Sequence, residues 1–130
     1  MIVVDASVLA PALADDTSDG DLSRARLRGN ILVAPELIDL EVASVWRRQV
    51  TAGRLEVRRA DEAVADLLAL PLQRVRHRQL LTRCWELRHN LTQYDAAYVA
   101  LAELLDAVLV TGDKRLSRVP GVCCRVDVIG

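Results

Sequence analysis

Thr92-Gln93-Tyr94-Asp95-Ala96-Ala97-Tyr98-Val99-Ala100-Leu101-Ala102-Glu103-Leu104-Leu105-Asp106-Ala107-Val108-Leu109-Val110-Thr111-Gly112-Asp113 is the stretch on which the fold turns. Its first half reads as a helix, Tyr94 to Leu105, with Thr92 as N-cap. Its second half, Ala107 to Val110, reads as a strand closed by Thr111-Gly112-Asp113. The opening of the chain repeats the second part of this pattern: Ile2-Val3-Val4 is a β-branched run that stops at Asp5, and a helix from Ala6 to Ala14 follows. Strands that alternate with helices imply a parallel sheet covered on both faces.

The remaining segments fit between these two. Asp15 to Gly20 reads as a polar loop and Leu22 to Arg28 as a helix stopped by Gly29-Asn30. Ile31-Leu32-Val33 is a second strand. Pro35 is expected to open the next helix, which carries Leu37, Leu40, Glu41, Val45 and Trp46 and ends at Gly53. Ala60 to Leu70 reads as a helix with Val64, Leu67 and Leu68 on one face. Pro71 to Val75 reads as a short edge strand, Gln79 to Leu87 as a helix and Val122 to Ile129 as the last strand. No repeat or low-complexity segment interrupts this order, and 130 residues suit one domain, 1–130.

In an open parallel sheet, ligands bind beyond the carboxyl ends of the strands. Asp5 and Asp113 follow strands directly. Glu41 lies on the helix after the second strand, and Asp95 lies in the first turn of the helix that leads back to the Ala107 strand. Four acids from distant segments are thus directed to one edge. Like charges at short range raise one another's pKa, and hard divalent cations relieve that with oxygen ligands. Such ions activate water and stabilise the leaving oxygen in phosphodiester hydrolysis. Each acid also has an ordinary alternative: Asp5 as N-cap of the helix at Ala6, Asp95 as the far end of a capping box with Thr92, Asp113 as a turn residue. Glu41 on an apolar helix face wants a partner.

With 52% apolar and 27% charged residues the chain is globular rather than disordered. It has no Phe, two Trp and two Tyr, so the core is aliphatic. Three Cys, Cys84, Cys123 and Cys124, show no metal-ligand spacing and read as reduced thiols. No signal peptide or membrane-length run is seen, and a cytoplasmic location is expected. The net charge of -1 excludes little, but Arg47 to Arg88 holds ten Arg against five acids. Arg suits bidentate phosphate contact, and the stretch is also readable as a solvated surface. Arg47, Arg48, Arg76 and Arg78 are the candidate contacts to the phosphates of a nucleic acid. With so few aromatics, base stacking is expected to add little discrimination.

The four acidic segments match one family. Val3-Val4-Asp5-Ala6-Ser7 resembles the opening strand of PIN domains with its first acid, and Leu40-Glu41-Val42-Ala43 the family's helical glutamate. Thr92 to Glu103 is very similar to the VapC-type segment with the third acid, and Leu109 to Leu116 resembles that of the fourth. The resemblance, to the toxin half of VapBC toxin–antitoxin pairs, implies a three-layer α/β/α fold with a central parallel sheet and endoribonuclease activity dependent on Mg²⁺ or Mn²⁺. It implies that Asp5, Glu41, Asp95 and Asp113 are the catalytic metal ligands, with Ser7 and Thr111 supporting them. It further implies a homodimer and a VapB-type antitoxin that fills the active-site groove, for which apolar helix faces around Val42, Trp46 and Leu67 are expected to serve. Some relatives carry a further acid just after the fourth; Leu116 and Ser117 stand there, which leaves the number of metal ions open.

Three rivals come from other classes. A receiver-like signalling domain needs an acidic pair near Asp5, and Asp5 stands alone. A phosphatase with an aspartate nucleophile needs a second acid two residues on, where Ser7 stands. A PIN-like module that binds RNA without cutting it is opposed by the presence of all four acids.

Overall fold

Strand β1 (Ile2–Val4) and strand β2 (Leu32–Pro35) are buried along their whole length, as parallel strands covered on both faces are. The computed structural model describes residues 1–130. With β3 (Leu72–Val75), β4 (Val108–Thr111) and β5 (Val126–Val128), these strands form one five-stranded parallel sheet of order β3-β2-β1-β4-β5. The helices are α1 (Ala6–Ala14), α2 (Ser18–Leu27), α3 (Ile38–Thr51), α4 (Val57–Ala69), α5 (Leu81–Glu86) and α6 (Gln93–Leu105). They cover the sheet in the expected three-layer α/β/α arrangement.

Helix α6 explains why the core closes without Phe. All seven residues from Ala96 to Ala102 are buried, and four of them are alanines that let the helix lie close against β1, β2 and β4. Its N-cap is Thr92, whose Oγ1 accepts from the Asp95 backbone N–H at 3.1 Å. It ends at Asp106, in the left-handed conformation with φ 49°, a geometry Asp tolerates better than most residues. β4 starts two residues later.

The strand order reverses at β1. The chain goes from β1 to β2 on one side, and β4 returns to the other, with Ile2 opposite both Leu32 and Val108. The crevice beyond the carboxyl ends of β1 and β4 is the topological switch point, where such sheets bind ligands. Asp5 and Asp113 sit at that crevice.

Several boundaries differ from the sequence expectations. Pro35 ends β2 instead of opening α3. Glu36 N–H donates to Val75 of β3, so the nitrogen of Pro35 points toward β1, whose pairing with β2 has already stopped at Val33; no hydrogen bond is lost. α2 starts at Ser18, inside the expected loop, because Gly20 packs directly on the Asp15 carbonyl where a Cβ has no room. Arg24 then reaches back to the carbonyls of Ala12 and Asp15, at 3.1 and 2.7 Å, satisfying the end of α1. α4 starts at Val57, and it buries Ala63 and Leu67 while Val64 and Leu68 face solvent, 40% and 78% exposed. α4 packs on α1 and α3, and the smaller Ala63 takes the buried position there. β5 is only three residues long, since Val122 to Arg125 are irregular, with a bend at Cys124.

Candidate active site

The end of β1 and the end of β4 are tied together by a chain of hydrogen bonds around Asp5. Asp5 Oδ2 accepts from Ser7 Oγ at 2.8 Å and from Thr111 Oγ1 at 2.7 Å. Each hydroxyl has one proton, and both are given to the carboxylate, so the 3.4 Å approach of Ser7 and Thr111 to each other carries no hydrogen bond of its own. The hydroxyl oxygens in turn accept from Gly112 N–H at 2.9 Å and Asp113 N–H at 3.0 Å. The Asp5 side chain makes no cap bond to α1, so the capping alternative does not describe it. Its Oδ1 takes no hydrogen bond from the protein.

Glu41, one turn into α3, faces the same crevice. The buried Tyr98 donates to Glu41 Oε1 at 2.6 Å. Burial raises the Glu41 carboxyl above its usual value; the Tyr98 bond opposes this, and the nearby Asp5 and Asp95 add to it. Asp95 is likewise raised by burial and by Asp5 and Asp113. Its backbone is capped by Thr92, but its carboxylate makes no return bond to the Thr92 backbone N–H, so only half of the capping box forms. Asp113 behaves oppositely: the Arg115 guanidinium hydrogen-bonds it at 2.6 to 3.2 Å and holds it below its usual value. Asp113 also accepts from the Arg115 N–H, capping the short turn Lys114–Arg118, so the turn role expected as its alternative is real.

Asp5, Glu41, Asp95 and Asp113 line one cleft of about 600 Å³, with Ser7, Tyr94 and Arg48 on its walls. They feel one another's charge but are not drawn into a ready-made shell: no three acidic, His or Cys side chains are gathered to hold an ion. The donor set itself suits a hard divalent cation: all donors are carboxylate oxygens, two carboxyls are raised by burial and, to a lesser extent, by neighbouring negative charge, and Asp5 keeps a bare oxygen.

The four Arg singled out from sequence separate. Arg48 lines the cleft and also an adjoining cavity that contains Arg54 and Arg58. Arg47 faces a groove between α3 and α4. Arg76 and Arg78 are exposed just past β3 and line neither cavity. Within the same stretch Arg59, Arg74 and Arg83 are engaged in ion pairs. Val42, Trp46 and Leu67, expected on a docking face, are in the core at 0%, 2% and 4% exposure; the exposed apolar positions on these helices are Leu40, Val57, Val64 and Leu68. Sequence reasoning missed Tyr98 and Arg115. The second was findable, two residues past Asp113; the first pairs residues 57 apart.

The profile of the PIN domain matches residues 2–122. The chain belongs to the PIN-domain family. Over 128 residues this PIN domain is 40% identical to Ribonuclease VapC1 of Mycobacterium tuberculosis, covering 98% of the chain and 96% of that protein. It is also 40% identical to Ribonuclease VapC9 of the same species over 129 residues, 99% of the chain and 98% of the relative. Among solved structures, its fold is similar to M. tuberculosis VapC20, described as a sarcin-ricin loop cleaving toxin, with TM-score 0.71, 18% identity and coverage of 95% of this chain and 97% of that one. It is also similar to VapBC2 from Rickettsia felis bound to a promoter DNA fragment, with TM-score 0.65, 14% identity and 98% of each chain covered. No helix of this PIN domain is long and apolar enough to cross a membrane.

Proposed function

We propose that this PIN domain is an endoribonuclease, the toxin of a type II toxin–antitoxin pair, that hydrolyses RNA phosphodiesters with a divalent cation held by Asp5, Glu41, Asp95 and Asp113. The observation that carries the reading is the meeting of these four acids, from four segments, in one cleft at the sheet's switch point. The near full-length identity to VapC ribonucleases supports it.

A bound Mg²⁺ or Mn²⁺ ion supplies an activated water and charge stabilisation at the phosphate oxygens. The chain's own part is positioning. Ser7 and Thr111 fix the rotamer of Asp5 through one oxygen and leave the other for the ion. Tyr98 holds Glu41 toward the cleft. Arg115 pairs with Asp113 and would yield it to a divalent cation. Arg48 offers the phosphate backbone a guanidinium at the cleft wall.

RNA cleavage with and without Mg²⁺, for the wild type and Asp5→Asn, tests this. Wild type should cut only with the cation, and Asp5→Asn should be slower by about 100-fold or more. Cleavage that persists in chelator, or an Asp5→Asn variant as active as wild type, overturns it. A free nuclease endangers its own cell, so a small antitoxin is its expected partner, presenting Arg or Lys to the four acids.

A further inference from the structure

Arg115 stands apart from the other paired arginines. Arg24, Arg59, Arg74 and Arg83 each bond a carboxylate and also donate to a backbone carbonyl, and their side chains are 25–34% exposed. The carbonyls fix those guanidiniums in the fold. The Arg115 side chain is 79% exposed. Its guanidinium bonds nothing but Asp113, through Nε at 3.1 and 3.2 Å and through one terminal nitrogen at 2.6 Å. An exposed guanidinium held by one carboxylate alone is released as soon as that carboxylate finds another partner.

The backbone beneath it is fixed. Arg115 N–H donates to Asp113 Oδ1 at 2.9 Å and Leu116 N–H to the Asp113 carbonyl at 3.2 Å, and Leu116 is buried in the core. The long side chain thus swings from a rigid base beside Asp113, which lines the acidic cleft, and it lies near enough to Asp95 to offset part of that residue's repulsion. Four carboxylates repel a phosphodiester, and Arg48 is the one guanidinium among the cleft's own walls. A second cation at this edge has an evident use.

We propose that Arg115 is a substrate-binding residue with two successive partners: it forks Asp113 before a divalent cation binds, and once the cation takes the Asp113 oxygens the freed guanidinium forks a phosphate of the RNA at the cleft. This rests on the ribonuclease reading above. A carboxylate and a phosphate both offer the planar fork two oxygens, so one replaces the other without new geometry. Asp113 exchanges a monovalent partner for a divalent one, and Arg115 exchanges a carboxylate for a phosphate, so neither is left unpaired. Cation and RNA then favour each other's binding, reciprocally. A Lys here would carry the charge without the fork.

Fluorescence anisotropy with a short labelled RNA in chelator, over a range of salt, tests the second half without any metal, because Asp113→Asn keeps an oxygen for the Arg115 N–H and removes the charged partner of the guanidinium. Asp113→Asn should bind about fivefold more tightly than wild type, with a slope of log affinity against log salt steeper by about 0.7, one phosphate contact. Asp113→Asn with Arg115→Ala should lose both gains. Asp113→Asn with Arg115→Lys has the same charge as Asp113→Asn and should keep only part of the tightening. Equal affinity of those two overturns the fork and assigns the gain to the loss of one negative charge. The first half is read with Mg²⁺ and a single-stranded DNA of the same sequence, which presents the same phosphates. There the slope of wild type should exceed that of Arg115→Ala by about 0.7, whereas in chelator the two slopes should agree. Slopes that agree in Mg²⁺ too, or differ equally in both conditions, overturn release by the cation. If RNA is cut in Mg²⁺ while the Arg115 variants bind as their parents do, the fork fails and the nuclease stands; if RNA is neither bound nor cut, both fail.

Discussion

Arg115 occupies the position that decides how ready the cleft is for a cation. It is largely exposed, yet it grips both oxygens of Asp113 and lowers the charge felt by Asp95. A side chain of this kind is a weakly held counterion: an exposed ion pair contributes little to stability, but competes with a metal for the same oxygens. Arg115→Ala should leave the fold intact and tighten Mn²⁺ binding several-fold, seen as a larger rise in melting temperature at a fixed Mn²⁺ concentration. An unchanged or smaller rise would show that Asp113 takes no part in holding the ion. Tyr98 works in the other direction. Tyr98→Phe keeps the ring in the core and removes only the 2.6 Å bond to Glu41. Folding should lose roughly 1 kcal/mol, while the Mn²⁺-dependent rise shrinks because Glu41 is no longer aimed. A purely structural Tyr98 would lose stability and keep the full rise.

At the scale of elements, α5, α6 and the turns before β5 are fastened by one charged knot. Arg83 of α5 bonds both oxygens of Glu103 of α6 at 2.6 and 3.1 Å and the Gly121 carbonyl at 2.8 Å, and Cys123 N–H donates to the same Glu103. Burial pushes the Glu103 carboxyl up, but Arg83 and the Cys123 N–H outweigh it and bring it below its usual value. A carboxyl lowered in the folded state stabilises the protein above its unfolded pKa, and that contribution fades as pH falls through the folded value. Arg83→Met should cost about 1–3 kcal/mol at neutral pH in urea unfolding, and the gap to wild type should narrow steadily below about pH 5. A gap that is constant with pH would mean the loss comes from packing of the Arg stem. The reading of elements from sequence succeeded where the signal was local. The β-branched run before Asp5 and the Thr92 cap on α6 each lie within a few residues. It failed at Gly20, whose smallness serves contact with Asp15 rather than a turn, and at Pro35, whose missing N–H is harmless only because β1 ends early.

Across the whole molecule, the position of the four acids was legible from sequence because parallel topology sends strand ends and following helix starts to one edge. Partnerships such as Tyr98 with Glu41, or the facing of Arg48 toward the cleft and Arg47 away from it, depend on helix rotation and were not legible. That rotation makes a prediction about RNA. Arg48 borders both the acidic cleft and the cavity holding Arg54 and Arg58, where Arg and acidic side chains alternate, so of the cleft's own walls it is the one that offers a guanidinium. Each phosphate contact adds about 0.7 to the slope of log affinity against log salt for a single strand. Arg48→Ala should weaken RNA binding and flatten that slope by about this amount, while Arg47→Ala should leave it unchanged. Equal slopes for the two variants would place the RNA elsewhere.

The bond from Thr111 to Asp5 spans 106 residues of chain, and this has a consequence for the order of events during synthesis. β1, although made first, is flanked on one side by β4, so half of its hydrogen-bonding edge waits until more than four-fifths of the protein has left the ribosome. At about 5–20 residues per second, a nascent chain takes about 1–3 seconds to pass from Asp95 to Thr111, carrying Asp5, Glu41 and Asp95 with no crevice to hold them. A fragment cut short before Thr111 has three of the four acids and neither the crossover partner of β1 nor the hydroxyl that orients Asp5. On the proposed nuclease reading, premature termination or an abandoned ribosome should therefore release a polypeptide without a complete site, which is completed only when β4 docks.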